Sequence, residues 1–241
     1  MREEAFLFAG PSTYGLTAAA LGAPQVQWLP PVRRGDIDRL REREAAPGVM
    51  VIADGVFQCE PAVSHAEIVR ALDAGWQVWG VASLGAIRAH EVRDHGMRGF
   101  GWVHALFQRC PDLADDELCL LHAPQEPWFP LTEPLVNLRY ALEMQGEALG
   151  IDSAAAARLL AGARELWFGD RDRAALRRLM HEAAGLDETR SAALWQWLTT
   201  HRVKTLDLAA LMSRRPWRAA HRVAPAPAPA SRQAASPHPR P

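Results

Sequence analysis

Through the first hundred residues, short apolar runs alternate with stretches whose apolar positions recur at helical spacing, the pattern of a parallel sheet covered by helices. Ala5-Phe-Leu-Phe-Ala9, Val26-Gln-Trp-Leu29, Val49-Met-Val-Ile-Ala53 and Gln77-Val-Trp-Gly-Val-Ala82 read as four strands. Gly10-Pro-Ser-Thr13 predicts a helix near Tyr14 to Leu21, Arg34-Gly-Asp36 opens a charged helix through Arg43, Ser64 to Ala74 forms a third, and Ser83 starts a fourth. From about Trp102 the pattern is helical alone, over 102–108, 134–149, 153–167, 170–184, 188–201 and 206–212, with Asp152, Asp170 and Asp187 where N-caps belong. The expected fold is therefore α/β: an N-terminal parallel-sheet, Rossmann-like layer of about four strands with helices, followed by an all-helical C-terminal part. The expected organisation is an α/β part over 1–110 that carries the site, a helical part over 111–213 packed on it, and a Pro/Ala/Arg tail over 214–241.

Composition and motifs sharpen this in four places. Residues 214–241 hold six arginines and no acid within a Pro-Ala repeat, which cannot bury enough surface to offset chain entropy, so the tail is expected to be disordered. The three cysteines, Cys59, Cys110 and Cys119, form no C-x-x-C pair, which indicates neither a disulfide framework nor a zinc ribbon and leaves buried free thiols as the ordinary reading. No stretch approaches the roughly 18 consecutive apolar residues of a membrane span, and the acidic start, Met1-Arg-Glu-Glu, is unlike a signal peptide, so a cytoplasmic protein is expected. No phosphate loop of the G-x-x-x-x-G-K type is present, and neither a nucleotide cofactor nor nucleic-acid binding is expected.

The candidate chemistry begins at Ser83. A serine directly after a buried strand, at the start of a helix and flanked by Ala82, Gly85 and Ala86, sits where helix amides can steady an oxyanion. That placement resembles a nucleophile elbow without its G-x-S-x-G string, and it equally suits a plain N-cap. The candidate bases are His65, His90, His95, His122 and Lys204. Of the 27 basic residues, 26 are arginine and Lys204 is the one lysine. Arginine cannot give up its proton, whereas a buried lysine can become neutral and act as a base. The acidic run Asp115-Asp116-Glu117 with His122 has ligands too close in sequence for a metal site, and none is expected.

With these residues in view, the chain resembles the TfuA family from about Phe6 to Leu211. The resemblance rests on Phe8-Ala-Gly-Pro11, Pro30-Pro-Val-Arg-Arg-Gly-Asp36, Asp54-Gly-Val-Phe57, Pro61-Ala-Val-Ser-His65-Ala-Glu67-Ile68 and Gly80-Val-Ala-Ser-Leu-Gly-Ala-Ile-Arg-Ala89. Gly96-Met97, Asp115-Asp-Glu117, His122-Ala-Pro124 and Leu131-Thr-Glu-Pro-Leu-Val-Asn-Leu-Arg139 continue it in order. Ala66, where the family tends to carry lysine, and Leu206-Asp207, in place of a more basic stretch, depart from it.

The resemblance implies a companion of a YcaO-type enzyme in peptide backbone thioamidation. Such a protein would hydrolyse the thiocarboxylated end of a ThiS-type ubiquitin-like sulfur carrier and release sulfide, touching the ribosomally made precursor peptide only indirectly. The family's Ser-Lys pair carries over to Ser83 and Lys204, with Gly10, Ser12, Asp54, Gly55, His65 and Arg88 expected to line the site or hold the carrier tail. The competing expectation is a non-catalytic adaptor that activates or recruits a YcaO enzyme, including one that forms azolines.

Overall fold

The computed structural model describes residues 5–56, 60–110 and 113–220. Cys59 and the residues from 221 onward, which include most of the expected disordered tail, lie outside the described residues.

The four expected strands form as β1 (Ala5–Phe8), β2 (Val26–Leu29), β3 (Val49–Ile52) and β4 (Gln77–Gly80), all parallel. A fifth, the two-residue β5 (Arg98–Gly99), pairs beside β4 and is too short to leave a periodic signal. The sheet order is β2-β1-β3-β4-β5, so chain direction across the sheet reverses between β1 and β3. Ligands of such doubly wound sheets bind beyond the carboxyl ends of the strands at this switch point.

Both faces of the sheet are covered, which is why its strands read as continuous apolar runs. Phe6, Phe8, Met50, Ile52 and Val78 point to one side, where α1 (Asp36–Arg43), α2 (His65–Asp73), α3 (Leu84–Glu91) and α4 (Gly101–Arg109) pack. Leu7, Val49, Val51 and Trp79 point to the other side, as the two-residue period of a strand requires. The cover on that side is Leu208, Leu211 and Met212 of α9 (Val203–Arg214) together with Trp217 of α10 (Trp217–Ala220).

Between α4 and α9 in the chain, α5 (Leu135–Gln145), α6 (Ser153–Glu165), α7 (Arg173–Glu182) and α8 (Glu188–Thr200) form a separate helical cluster around Leu138, Leu159, Leu176 and Leu198. Asp152, Asp172 and Asp187 accept the capping amides of α6, α7 and α8. Asp172 thus takes the place expected of Asp170, which belongs to a 3-10 turn.

Two further expectations change. The helix expected near Tyr14 to Leu21 is a 3-10 turn at Pro11–Thr13 followed by irregular turns, because Gly15 adopts a left-handed φ of 83° that a helix cannot contain. The chain remains packed past residue 214: Trp217 is 1% exposed and meets Trp79 edge-on at 6.4 Å. Among the described residues, no helix is long and apolar enough to cross a membrane.

Candidate active site

Ser83 owes its position to a strained turn and to two glycines. Its amide donates to the Val81 carbonyl at 2.8 Å, closing a γ-turn around Ala82, which has a φ of 65°. A non-glycine residue in that region costs on the order of 1–3 kcal/mol, and such strain collects at functional sites. The same amide reaches the Ala53 carbonyl at 3.1 Å, tying the turn to the end of β3. The first turn of α3 then lies so close to β3 that a Cβ on Gly85 would stand 1.7 Å from the Ile52 carbonyl oxygen, and one on Gly80 2.0 Å from the Gly85 oxygen. Ser83 occupies the N-cap position by backbone, but its side chain makes no capping bond and is 5% exposed. Among the described residues no hydrogen bond engages the Leu84 amide, the first N–H of the helix.

Lys204, 121 residues further along the chain in the first turn of α9, lines the same cavity. It is 4% exposed, and its Nζ donates to the Leu118 carbonyl at 2.8 Å. Burial pushes the amine below the ordinary lysine range, an effect opposed by the charges of Asp54, Cys119 and Glu133.

Asp54 follows β3 at the switch point and is 4% exposed. Its Oδ2 accepts from the amides of Gly10 (2.8 Å) and Ser12 (2.9 Å), and its Oδ1 accepts from Ser12 Oγ (2.7 Å). Gly10 and Ser12, expected to hold a substrate tail, therefore direct these donors at an internal carboxylate, which fixes the loop after β1. Gly55 packs so tightly that a Cβ there would meet Leu84 at 2.2 Å.

Ser83, Lys204, Asp54 and Gly55 line one cavity of about 520 Å³. His65 and Arg88 are not among its lining residues. His65 begins α2 behind the Ser64–Glu67 capping box, and its Nε2 meets Glu91 at 2.8 Å, while Arg88 donates to the Val63 carbonyl and to Glu91. Both side chains tie α2 to α3 instead of facing the strand ends. Of the other candidate bases, only His122 borders the cavity, with Nδ1 at 2.7 Å from the Ala123 oxygen and its ring against Trp128.

Residues 54–172 match the family model described as TfuA-like protein. This segment belongs to the TfuA family. No curated protein matches the chain. The TfuA-like segment includes Asp54, Gly55 and Ser83, whereas Gly10, Ser12 and Lys204 lie on either side of it.

The TfuA-like segment also supplies cavity walls that pattern alone does not reveal. Leu121, Pro124 and Trp128 come from a flap over 121–131, held by antiparallel bonds between Ala123 and Phe129 and between Leu131 and Leu121, and Cys119 lies just before it. Its outer side exposes Phe129 at 52% and Leu131 at 57%. Arg33 and Glu60 pair across the mouth at 3.2 Å. Only the sequence signal of a proline-rich loop with isolated aromatics marks this flap.

The acidic run before the flap has structural partners. Glu117, 1% exposed, accepts from Arg139 and Arg164, and Asp116 accepts from the fully buried Arg171. Among the described residues no group of three His, Cys, Asp or Glu side chains is arranged to hold a metal ion.

Proposed function

We propose that this protein is the hydrolytic companion of a YcaO-type enzyme in peptide backbone thioamidation, cleaving the thiocarboxylated end of a ThiS-type sulfur carrier with Ser83 as nucleophile and Lys204 as base. The observation that carries the reading is the convergence of these two residues on one cavity, the serine released from capping and the lysine buried toward its neutral form.

In the first half, Ser83 Oγ attacks the thiocarboxylate carbon while Lys204 takes the hydroxyl proton. The oxyanion forms beside the free Leu84 amide. As it collapses, the C–S bond breaks, and the proton leaves with sulfur as hydrosulfide, giving an acyl ester on Ser83. In the second half, water attacks the ester, Lys204 takes a proton from that water and returns it to Ser83 Oγ, and the carrier departs as a carboxylate. Because the thiocarboxylate is already an anion, the proton that Lys204 passes on is what lets the sulfur leave as hydrosulfide. The released sulfur is what a YcaO enzyme requires to replace an amide oxygen on its precursor peptide.

The test is hydrosulfide release from a thiocarboxylated carrier by wild type, Ser83→Ala and Lys204→Arg, with and without YcaO. Loss in both variants supports the pair, because arginine cannot give up its proton and so cannot serve as the base. Thioamidation that survives Ser83→Ala, with YcaO's affinity for its peptide still raised, would make the protein an adaptor, for which the apolar outer side of the flap offers contact surface.

A further inference from the structure

We propose that Asp116, Glu117 and Arg171 are positioning residues for Lys204, locking the Leu118 carbonyl that holds its amine; that the amine is the base rests on the reading above. The Leu118 carbonyl ends a 3-10 turn at Asp115–Leu118. This single turn is held from three directions. Arg139 of α5 grips Glu117 through both guanidinium arms at 2.5 and 3.0 Å, and Arg164 of α6 adds contacts at 2.9 and 2.8 Å. Arg171, with no exposed surface, donates to the Asp116 carbonyl at 2.9 Å and its carboxylate at 2.6 Å, while its Nε anchors to the Ala163 carbonyl.

Arg171 also bears on the other end of the lysine. The Arg171 carbonyl accepts from the Glu133 amide, and the Glu133 carboxylate binds Asn137 and Arg202. The Asn137 oxygen in turn accepts the Val203 amide at 3.1 Å, which seats the first turn of α9 next to Lys204. Backbone and amine are thus tied to one framework. A neutral amine has two N–H groups and one lone pair. With one N–H committed to Leu118, the lone pair is restricted in direction, which a base acting on Ser83 needs.

The charged or titratable groups acting on this amine are Asp54 at the end of β3, Cys119 beyond the turn and Glu133 before α5. Burial outweighs them. Loosening the turn would admit water, and the lysine would move back toward its ordinary 10.5.

Because Lys204 is the one lysine of the chain, protein labelled with lysine carrying ¹⁵N at Nζ gives a single side-chain signal whose titration needs no substrate. Asp116→Asn and Glu117→Gln are each expected to raise its midpoint by at least about one pH unit. They should move the acid limb of kcat/KM for sulfide release by the same amount. Arg190→Gln serves as the control, since Arg190 binds the Leu149 and Gly150 carbonyls within the helical cluster, away from the turn. It is expected to lower Tm and leave the lysine titration in place. An unmoved midpoint in both turn variants, or an equal shift in the control, overturns the proposal. A shifted midpoint with an unshifted acid limb upholds the clamp and removes Lys204 from the role of base.

Discussion

Asp207 carries a pH dependence whose sign and size follow from its surroundings. It lies one turn after Lys204 on α9, is 7% exposed, and accepts the Trp102 amide at 2.8 Å and the Val103 amide at 2.9 Å, capping α4 from a different helix. Gly101 makes this approach possible, for a Cβ there would stand 2.3 Å from the carboxylate carbon. The two amides favour the ionised form, but burial outweighs them and raises the group from 3.8 to about 6. Below its ordinary value the carboxyl is protonated in folded and unfolded chains alike. Between the two values the folded chain keeps a proton that the unfolded chain has lost, so stability falls as pH rises, and above about 6 the loss is complete.

The full difference is on the order of 3 kcal/mol, of which roughly 2 falls above pH 4.5. Urea unfolding of wild type and Asp207→Asn between about pH 4.5 and 7.5 isolates it, since the variant cannot titrate and all other groups cancel in the difference. The stability of wild type relative to the variant should decline by about 2 kcal/mol across that range and then level off. A difference that stays flat, or one that grows with pH, would refute the reasoning and mean that the two capping amides dominate burial.

Three other outcomes are expected. Ser83→Ala should change unfolding free energy by no more than about 0.5 kcal/mol, against the ~1 kcal/mol of an ordinary cap loss, because no capping bond is removed; circular dichroism in urea measures it. Gly85→Ala should destabilise by about 3 kcal/mol or more and reduce sulfide release together with stability, since its Cβ meets backbone that cannot move aside. Trp217→Ala should cost about 3–5 kcal/mol by emptying the contact with Trp79, seen as a lower Tm and a quenching change in tryptophan fluorescence.

The local pattern of the sequence determined the strands, most helices and the placement of Ser83, because these depend on spacing within a few residues. Buried parallel strands are apolar throughout, and a Ser with small neighbours after such a run must stand at the strand's end. Lys204 stood out by composition alone. The sequence also offered Gly10, Ser12, His65 and Arg88 for a single site, and there the outcome depended on partners distant in the chain. Asp54 takes the donors of Gly10 and Ser12, and Glu91 takes His65 and Arg88. The two-residue β5, the seating of Trp217 and the flap over the cavity have too few local contacts to leave a period. Whether Lys204 would be buried or exposed was likewise a tertiary matter. It became buried because α9 turns back onto the sheet and a turn clamped by three arginines closes over the amine, and desolvation is a property of the surrounding atoms, with no counterpart in the order of residues.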